Sequence, residues 1–158
     1  MIRGIAAPLL AALLAVGDNA AVSASDSKAP NKIYSRDCSV CHQNNGAGVP
    51  GAFPRLTGRI ATLAAFAPGR KVVIATVLYG MAGKLESDGH AIVGVMPGFP
   101  QIKDAEVAEV LNYLASLNGS VTNKFTAKEV AAIRSLAPLT PTQVNTMARD
   151  SVLEAAQK

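Results

Sequence analysis

Two cysteines and a histidine lie together in one short segment of the chain. The segment reads Cys38-Ser39-Val40-Cys41-His42, and these are the only two cysteines in the sequence. Thiols at this spacing lie about one helical turn apart, so both can add to the vinyl groups of one porphyrin. The imidazole that follows can bind the iron through one ring nitrogen. The spacing therefore predicts one covalently attached c-type haem.

Two other kinds of site use a Cys-x-x-Cys pair, and the surrounding sequence favours neither. A thioredoxin-like redox pair belongs to a βαβ unit, whereas nothing before Cys38 has the pattern of a strand. A zinc site needs further thiolate or imidazole ligands, and His90 is the only other histidine. Haem attachment is the interpretation that the residues support best.

The first residues have the pattern of an export signal. Arg3 gives a positive start, an apolar stretch runs from Gly4 to Val16, and Val22-Ser23-Ala24 precedes the expected cut. This is typical of a secretory signal peptide that is cleaved after Ala24. The apolar stretch is too short to span a bilayer comfortably, and no later stretch is apolar enough to do so. We therefore predict a periplasmic mature protein without a membrane anchor.

The composition fits one domain that is built around a prosthetic group. Of the 158 residues, 49% are hydrophobic, yet only 4% are aromatic and Trp is absent. A haem would add a large flat apolar surface to such a core. The formal net charge is +4, with no long basic run and no nucleic-acid motif. The positive excess is therefore expected to act in docking with a protein partner.

The elements that must position the haem are mostly helices. Apolar periodicity and capping signals predict helices over residues 31–41, 60–66, 70–79, 104–117, 126–136 and from 140 onward. Pro68-Gly69 is read as punctuation before the third helix, and residues 43–59 as a Gly/Pro-rich loop. Asp88-Gly89 is a preferred two-residue turn, so it predicts a small β-hairpin that pairs 84–87 with 90–93.

The second iron ligand has several candidates. In the mature chain these are Met81, Met96, Met147 and His90. Met96 precedes Pro97, which fixes the next φ and removes a donor, in a segment expected to be rigid and irregular. Such a segment can hold a thioether against iron, so Met96 is favoured. Met81, His90 and an open iron position remain the alternatives.

In this order the motifs resemble those of class I monohaem cytochromes c. They are Cys38-x-x-Cys41-His42, Gly48 to Leu56, Leu78-Tyr79-Gly80, Val95 to Phe99, and Val107 to Leu114. The chain is most similar to the small cytochromes that serve as subunits or electron acceptors of periplasmic dehydrogenases. The resemblance implies an all-α cytochrome c fold, with helices packed around one covalently attached haem c. A small β-hairpin would precede the methionine, and a helical tail would be added at the C-terminus.

The resemblance also implies a division of the chain and a set of ligands. The expected parts are a signal peptide (1–24), a cytochrome c domain (25–136) and a C-terminal helical extension (137–158). Cys38 and Cys41 would form the thioethers. His42 and Met96 would be the axial ligands of the iron.

Two further residues are assigned by the resemblance alone. The carbonyl of Pro54 would accept the ring N–H of His42, which would fix the orientation of the imidazole. Arg59 would lie near a haem propionate, although Arg55 and Arg70 compete for that place.

These features imply a one-electron carrier and not an enzyme. His/Met ligation raises the reduction potential and leaves no iron position for a substrate. The expected donor is a periplasmic dehydrogenase, and the expected acceptor is another cytochrome or a terminal oxidase, with no role for nucleic acid. The alternative is a haem enzyme of the peroxidase or sulfur-oxidising type with an exchangeable sixth ligand. Such an enzyme would need a nearby acid, base or thiolate, for which His90 is the only histidine on offer.

Overall fold

The computed structural model describes residues 31–118 and 122–156, the latter by backbone alone over 152–156, together with Met1. Apart from Met1, the predicted signal peptide lies outside the described residues. Within these ranges, none of the helices combines the length and the hydrophobicity that a membrane-spanning helix needs.

The segment that carries the cysteines is helical, as predicted, but its turns are uneven. Tyr34–Cys38 is π-helical and continues directly into helix α1, Ser39–His42. The Tyr34 side chain is fully buried, and its ring packs against that of Tyr113 with centroids 5.4 Å apart. This contact packs the cysteine-bearing segment against α4, Asp104–Ala115.

The remaining helices enclose a single apolar core. They are α2 (Arg59–Ala64), α3 (Ala67–Tyr79), α5 (Ala127–Arg134) and α6 (Pro141–Ala156). Ile74 and Leu78 of α3 and Val107 and Leu111 of α4 are at most 1% exposed and form the centre of this core. Pro68 lies inside the first turn of α3. The prediction that Pro68-Gly69 separates two elements was therefore wrong. A proline is tolerated there because the N–H of a first-turn residue has no helical partner.

The predicted hairpin is present and is longer than expected. Strands β1 (Met81–Ser87) and β2 (His90–Met96) pair antiparallel, and Met81 lies opposite Met96. Asp88 and Gly89 form the turn with φ of +52° and +77°, which is the conformation that this dipeptide favours. The prediction that Met96 lies in an irregular segment was therefore wrong. It is the last residue of β2, and the irregular chain begins at Pro97.

The two C-terminal helices begin where their capping residues predict. The Thr126 hydroxyl accepts the N–H of Glu129 at 3.2 Å, and the Thr140 hydroxyl accepts that of Gln143 at 3.3 Å. The final helix is not a loosely attached tail, because α6 packs along β1 and against α3. Its inner side buries Val144, Asn145, Ala148 and Ser151, two of which are polar.

Candidate haem-binding site

The two thiols are free and half-buried within one helical segment. Burial raises the pKa of the Cys38 thiol to about 11, and the neighbouring Asp37 carboxylate adds to the rise. A redox-active Cys-x-x-Cys pair requires the opposite, a thiol whose pKa is lowered. The environment of Cys38 therefore argues against a thioredoxin-like function and leaves both sulfurs available for covalent attachment.

His42 is oriented by a single backbone contact. Its Nδ1 atom lies 2.9 Å from the carbonyl oxygen of Pro54. A carbonyl can only accept, so Nδ1 carries the proton and Nε2 presents a lone pair. Burial lowers the pKa of His42, with the Pro54 contact opposing this shift. The imidazole is thus held neutral and in one tautomer, which is the state that a metal ligand requires.

The second ring nitrogen of His42, Nε2, is free of hydrogen bonds to the described residues. Among the same residues, no fully buried side-chain nitrogen or oxygen lacks a partner. Nε2 therefore keeps access to solvent, although His42 as a whole is only 5% exposed. A neutral, oriented imidazole with a free nitrogen, next in sequence to the second of two free thiols, fits a covalently attached haem.

The loop that presents Pro54 is closed by short-range hydrogen bonds. The N–H of Gly48 donates to the carbonyl of His42 at 3.0 Å, and the Tyr34 hydroxyl donates to the carbonyl of Gln43. Burial raises the pKa of Tyr34 to about 12, so the hydroxyl stays a donor. Gly48 has φ of +67°, and a Cβ there would lie 2.4 Å from the Phe53 carbonyl oxygen. The loop can therefore close only around a glycine.

Met96 lies next to the place where two backbone segments, one at Gly80 and one at Gly98, pass very close to each other. Gly80, with φ of +79°, lies so close to β2 that a Cβ would be 2.4 Å from the Met96 carbonyl oxygen. A Cβ on Gly98 would lie 2.6 Å from the carbonyl carbon of Tyr79, and the Phe99 N–H donates to Val77 at 2.8 Å. The backbone on both sides of Met96 is thus fixed against the end of α3.

Met81 lies beside Met96 in the hairpin, and the sequence could have predicted that the two are neighbours. The two methionines are paired across the hairpin, and both are half-buried. Directly paired residues of an antiparallel ladder point to the same face. A strict count outward from the Asp88-Gly89 turn, seven residues each way, predicts this pairing. The sequence analysis weighed Met81 and Met96 separately and missed that they are neighbours.

The three candidate arginines have different surroundings. Arg70 is 7% exposed, forms an ion pair with Glu129 at 2.6 Å and lies 4.1 Å above the Phe125 ring. It also donates to three backbone carbonyls, those of Ala64, Asn123 and Lys124. Its donors are thus used to join α3 to α5, so Arg70 is excluded as a residue that contacts a bound group.

Arg55 and Arg59 both fasten the hairpin. Arg59 donates to the Ser87 hydroxyl at 3.3 Å and to the Glu86 carbonyl at 3.2 Å, and burial lowers its pKa. Arg55 makes an exposed, two-bond ion pair with Asp88, with a shortest distance of 2.6 Å. Both arginines also line a cavity of about 530 Å³, together with Gly58, Thr62, Leu63 and Asn118. No pattern in the sequence indicates that these arginines reach the turn of the hairpin.

Comparison with known proteins identifies the family. The Cytochrome c family model matches residues 27–118. Cytochrome c-552 of Thermus thermophilus is 45% identical over 118 residues, which cover 72% of this chain and 88% of that protein. The cytochrome c subunit of an alcohol dehydrogenase (quinone) from Gluconacetobacter polyoxogenes is 29% identical over 130 residues. That match covers 80% of this chain and 25% of the subunit.

The chain belongs to the cytochrome c family. The predicted fold and the predicted cofactor, one covalently attached haem c, are confirmed. The prediction of an electron-transfer protein is confirmed as well, because the matched relatives are cytochromes and the cytochrome subunit of a dehydrogenase.

Proposed function

We propose that the chain carries single electrons outside the cytoplasm, with haem c attached to Cys38 and Cys41 and ligated by His42 and Met96. The bound haem supplies a one-electron couple. The observation that carries this proposal is the geometry of His42, whose Nδ1 lies 2.9 Å from the Pro54 carbonyl oxygen while Nε2 stays unpaired. Pro54 thereby keeps the imidazole oriented and basic, while burial favours its neutral form.

Met96 is proposed as the second axial ligand because of how its backbone is held. The crossing of Gly80 and Gly98 fixes the chain on both sides of it, and a fixed thioether resists replacement by water or an added anion. Met81 is the sharpest competitor, because it lies opposite Met96 on the same face of the hairpin. His90 lies at the far end of β2, opposite Ser87 and remote in register from Met96.

The test of the ligand is a comparison of three variants. Met96→Ala is expected to keep the haem attached, to lose the methionine–iron absorption band of the oxidised protein and to bind cyanide or azide readily. Its reduction potential should fall, because a weaker or harder ligand favours the oxidised iron. Met81→Leu and His90→Ala are expected to keep the band. Survival of the band in Met96→Ala, or its loss in either other variant, would contradict the assignment.

Arg59 is proposed to lie near a propionate of the haem. Its guanidinium donates to the Ser87 hydroxyl and the Glu86 carbonyl, and Arg59 lines a cavity together with Arg55. Arg59→Gln should therefore lower the affinity of the site for a negative group and shift the reduction potential. An unchanged potential in a correctly folded Arg59→Gln protein would contradict this placement.

A dehydrogenase is proposed as the electron donor, and another cytochrome or a terminal oxidase as the acceptor. The similarity to a cytochrome c subunit of an alcohol dehydrogenase (quinone) supports the donor. The expected result is rapid stopped-flow reduction of the oxidised protein by a quinone-dependent alcohol dehydrogenase with its alcohol. Reduction no faster than by the same enzyme without substrate would exclude that donor.

The proposed location is the periplasm, after removal of residues 1–24. The apolar stretch from Gly4 to Val16 and the small residues before Ser25 support this processing. Intact-mass measurement of haem protein from a periplasmic fraction should give a chain that begins at Ser25. A haem protein that retains Met1, or that remains in the cytoplasm, would contradict the proposal.

A further inference from the structure

The C-terminal helix reaches the hairpin through one buried amide. Asn145 of α6 is 6% exposed, and its Nδ2 atom donates to the carbonyl oxygen of Lys84 at 3.2 Å. That carbonyl belongs to β1, whose other edge is already paired with β2. Gly83 lies against the same amide, since a Cβ there would be 3.5 Å from the Asn145 Oδ1 atom. Asn145 therefore provides a hydrogen-bond partner for one carbonyl on the free edge of β1.

A buried amide at position 145 is expected to stabilise the fold less than an apolar side chain would. Its neighbours on the inner side of α6, Val144 and Ala148, are buried and apolar. Burying an amide costs free energy that one hydrogen bond only roughly offsets, whereas an apolar side chain of similar size would gain from the same burial. What the amide adds is a directional contact that fixes α6 at one register along β1.

The strand that Asn145 holds is paired with the strand that carries Met96. Lys84 lies three residues after Met81, and Met81 is paired with Met96. An isolated two-stranded hairpin is marginally stable in water, so the position of its ends depends on external contacts.

Among the described residues, two other side chains from outside this hairpin form hydrogen bonds with it, and both do so at its turn. Arg55 forms an exposed ion pair with Asp88, and Arg59 donates to Ser87 and Glu86. Asn145 contacts the hairpin nearer to the paired methionines, and its amide adds to the close packing of Gly80 and Gly98 there.

We infer that Asn145 is a positioning residue for the methionine ligand of the iron. By holding the edge of β1 it keeps the hairpin, and with it Met96, from moving away. This inference rests on the proposed ligation by Met96. It gives the C-terminal helix a function at the redox site, in addition to covering part of the core.

The test uses the rate at which cyanide binds to the oxidised protein, because cyanide binds only after the thioether has left. Asn145→Asp keeps the shape and loses the donor, and Asn145→Leu replaces the amide with an apolar side chain. Both should bind cyanide roughly tenfold faster than the unaltered protein, the factor that corresponds to loss of about one buried hydrogen bond. Gln143→Glu is the matched control, because it makes the same amide-to-acid change at an exposed position of α6.

The two Asn145 variants separate positioning from stability. Asn145→Leu should unfold at a temperature equal to or above that of the unaltered protein and still bind cyanide faster. Cyanide rates that equal the unaltered rate, or that rise only in the variant with the lower unfolding temperature, would overturn the inference. If Met96→Ala keeps the methionine–iron band, the ligand assignment and this inference both fail. If Met96→Ala loses the band while both Asn145 variants bind cyanide at the unaltered rate, this inference fails alone.

Discussion

The two sides of the haem site are held in different ways. On the histidine side, residues 34–58, most side-chain hydrogen bonds join residues that are close in sequence, such as Tyr34 with Gln43 and His42 with Pro54, and the Arg55–Asp88 pair is an exception. On the methionine side, residues 80–99, the side chains that join the hairpin to the rest of the molecule come from residues far away in sequence. Arg59 reaches Ser87 across 28 residues, and Asn145 reaches Lys84 across 61.

This difference separates formation of the site from its closure. The histidine side can organise from one short stretch, because closing a short loop costs little chain entropy. The methionine side needs α2, α6 and the loop before α2 to be in place. Changes on the histidine side are therefore expected to decide whether a cytochrome forms, and changes on the methionine side to decide how firmly the methionine is held.

The largest effect is expected from Gly48→Ala. Its Cβ would meet the Phe53 carbonyl oxygen and the Pro54 carbonyl at 2.4 and 2.7 Å, and the φ of +67° disfavours alanine as well. The Pro54 carbonyl would move away from His42, so the yield of protein with attached haem should fall to a small fraction. Any folded product should lose more than about 4 kcal/mol of unfolding free energy.

Gly51→Ala is the matched control for that change. Gly51 also has a positive φ, +73°, but a Cβ there would meet nothing within 4 Å. Its cost should be only the backbone strain of about 1 kcal/mol, with a normal yield of haem protein. Haem staining of the purified proteins and denaturant unfolding measure both quantities. Equal yields for the two variants would show that closure of the loop does not control attachment.

Deletion of residues 137–158 is expected to have an intermediate effect. It removes α6, so Val144 no longer fills its place in the core and Lys84 loses its partner. The free energy of unfolding should fall by about 3 kcal/mol, while haem attachment through the histidine side continues. Cyanide should bind faster to the oxidised protein. Failure to attach haem would mean that the histidine side also depends on the tail.

A smaller effect is expected on electron transfer from a charge in the exposed apolar surface. Val49 and Phe53, which are 36% and 41% exposed, form a bridge directly before Pro54 on the histidine side. We expect a partner to contact this surface, so Val49→Glu should slow stopped-flow reduction by the dehydrogenase several-fold without changing the haem spectrum.

The methionine side provides the control for the docking prediction. Val93 on β2 is 79% exposed, so Val93→Glu adds the same charge on the outer face of the hairpin. Reduction of this variant should stay close to the unaltered rate, and Lys103→Glu should have a modest effect that fades with added salt. Slower reduction of Val93→Glu than of Val49→Glu would indicate that the partner docks on the hairpin and not at Val49.

The smallest effect is expected from the exposed ion pair Arg55–Asp88. The Arg55 guanidinium lowers the pKa of the Asp88 carboxyl below its ordinary value. A carboxyl whose pKa is lowered on folding stabilises the protein above its unfolded pKa, and this contribution is lost as the pH falls through the folded pKa. Thermal unfolding of Asp88→Asn should therefore differ slightly from the unaltered protein at neutral pH and converge with it in acid. A large difference at neutral pH would show that this exposed pair holds the hairpin.

Short sequence patterns predicted the elements whose formation depends on residues that are close together in the chain. The Cys38–His42 spacing, the Asp88-Gly89 turn and the Thr126 cap each act within a few residues, and each element appears where it was predicted. The extension of β2 to Met96 was missed because ladder pairing with Met81 overrides the irregular pattern around Pro97. The contact of Asn145 with Lys84 could not be predicted, because no sequence pattern shows that α6 packs against β1.

The π-helical turn before the cysteines determines how the length of this chain can change. The N–H of Ser39 donates to the carbonyl of Tyr34, so Tyr34–Cys38 holds one residue more than an α-helical turn would. Deleting one residue between Tyr34 and Cys38 would let the same N–H donate to the same carbonyl as an α-helical bond, so Ser39 would still lie above Tyr34 along the axis. Cys38 and Cys41 would therefore keep nearly the same direction relative to the Tyr34 anchor, and this turn is the place in the segment where the chain can lose one residue without turning the thiols away from their common target.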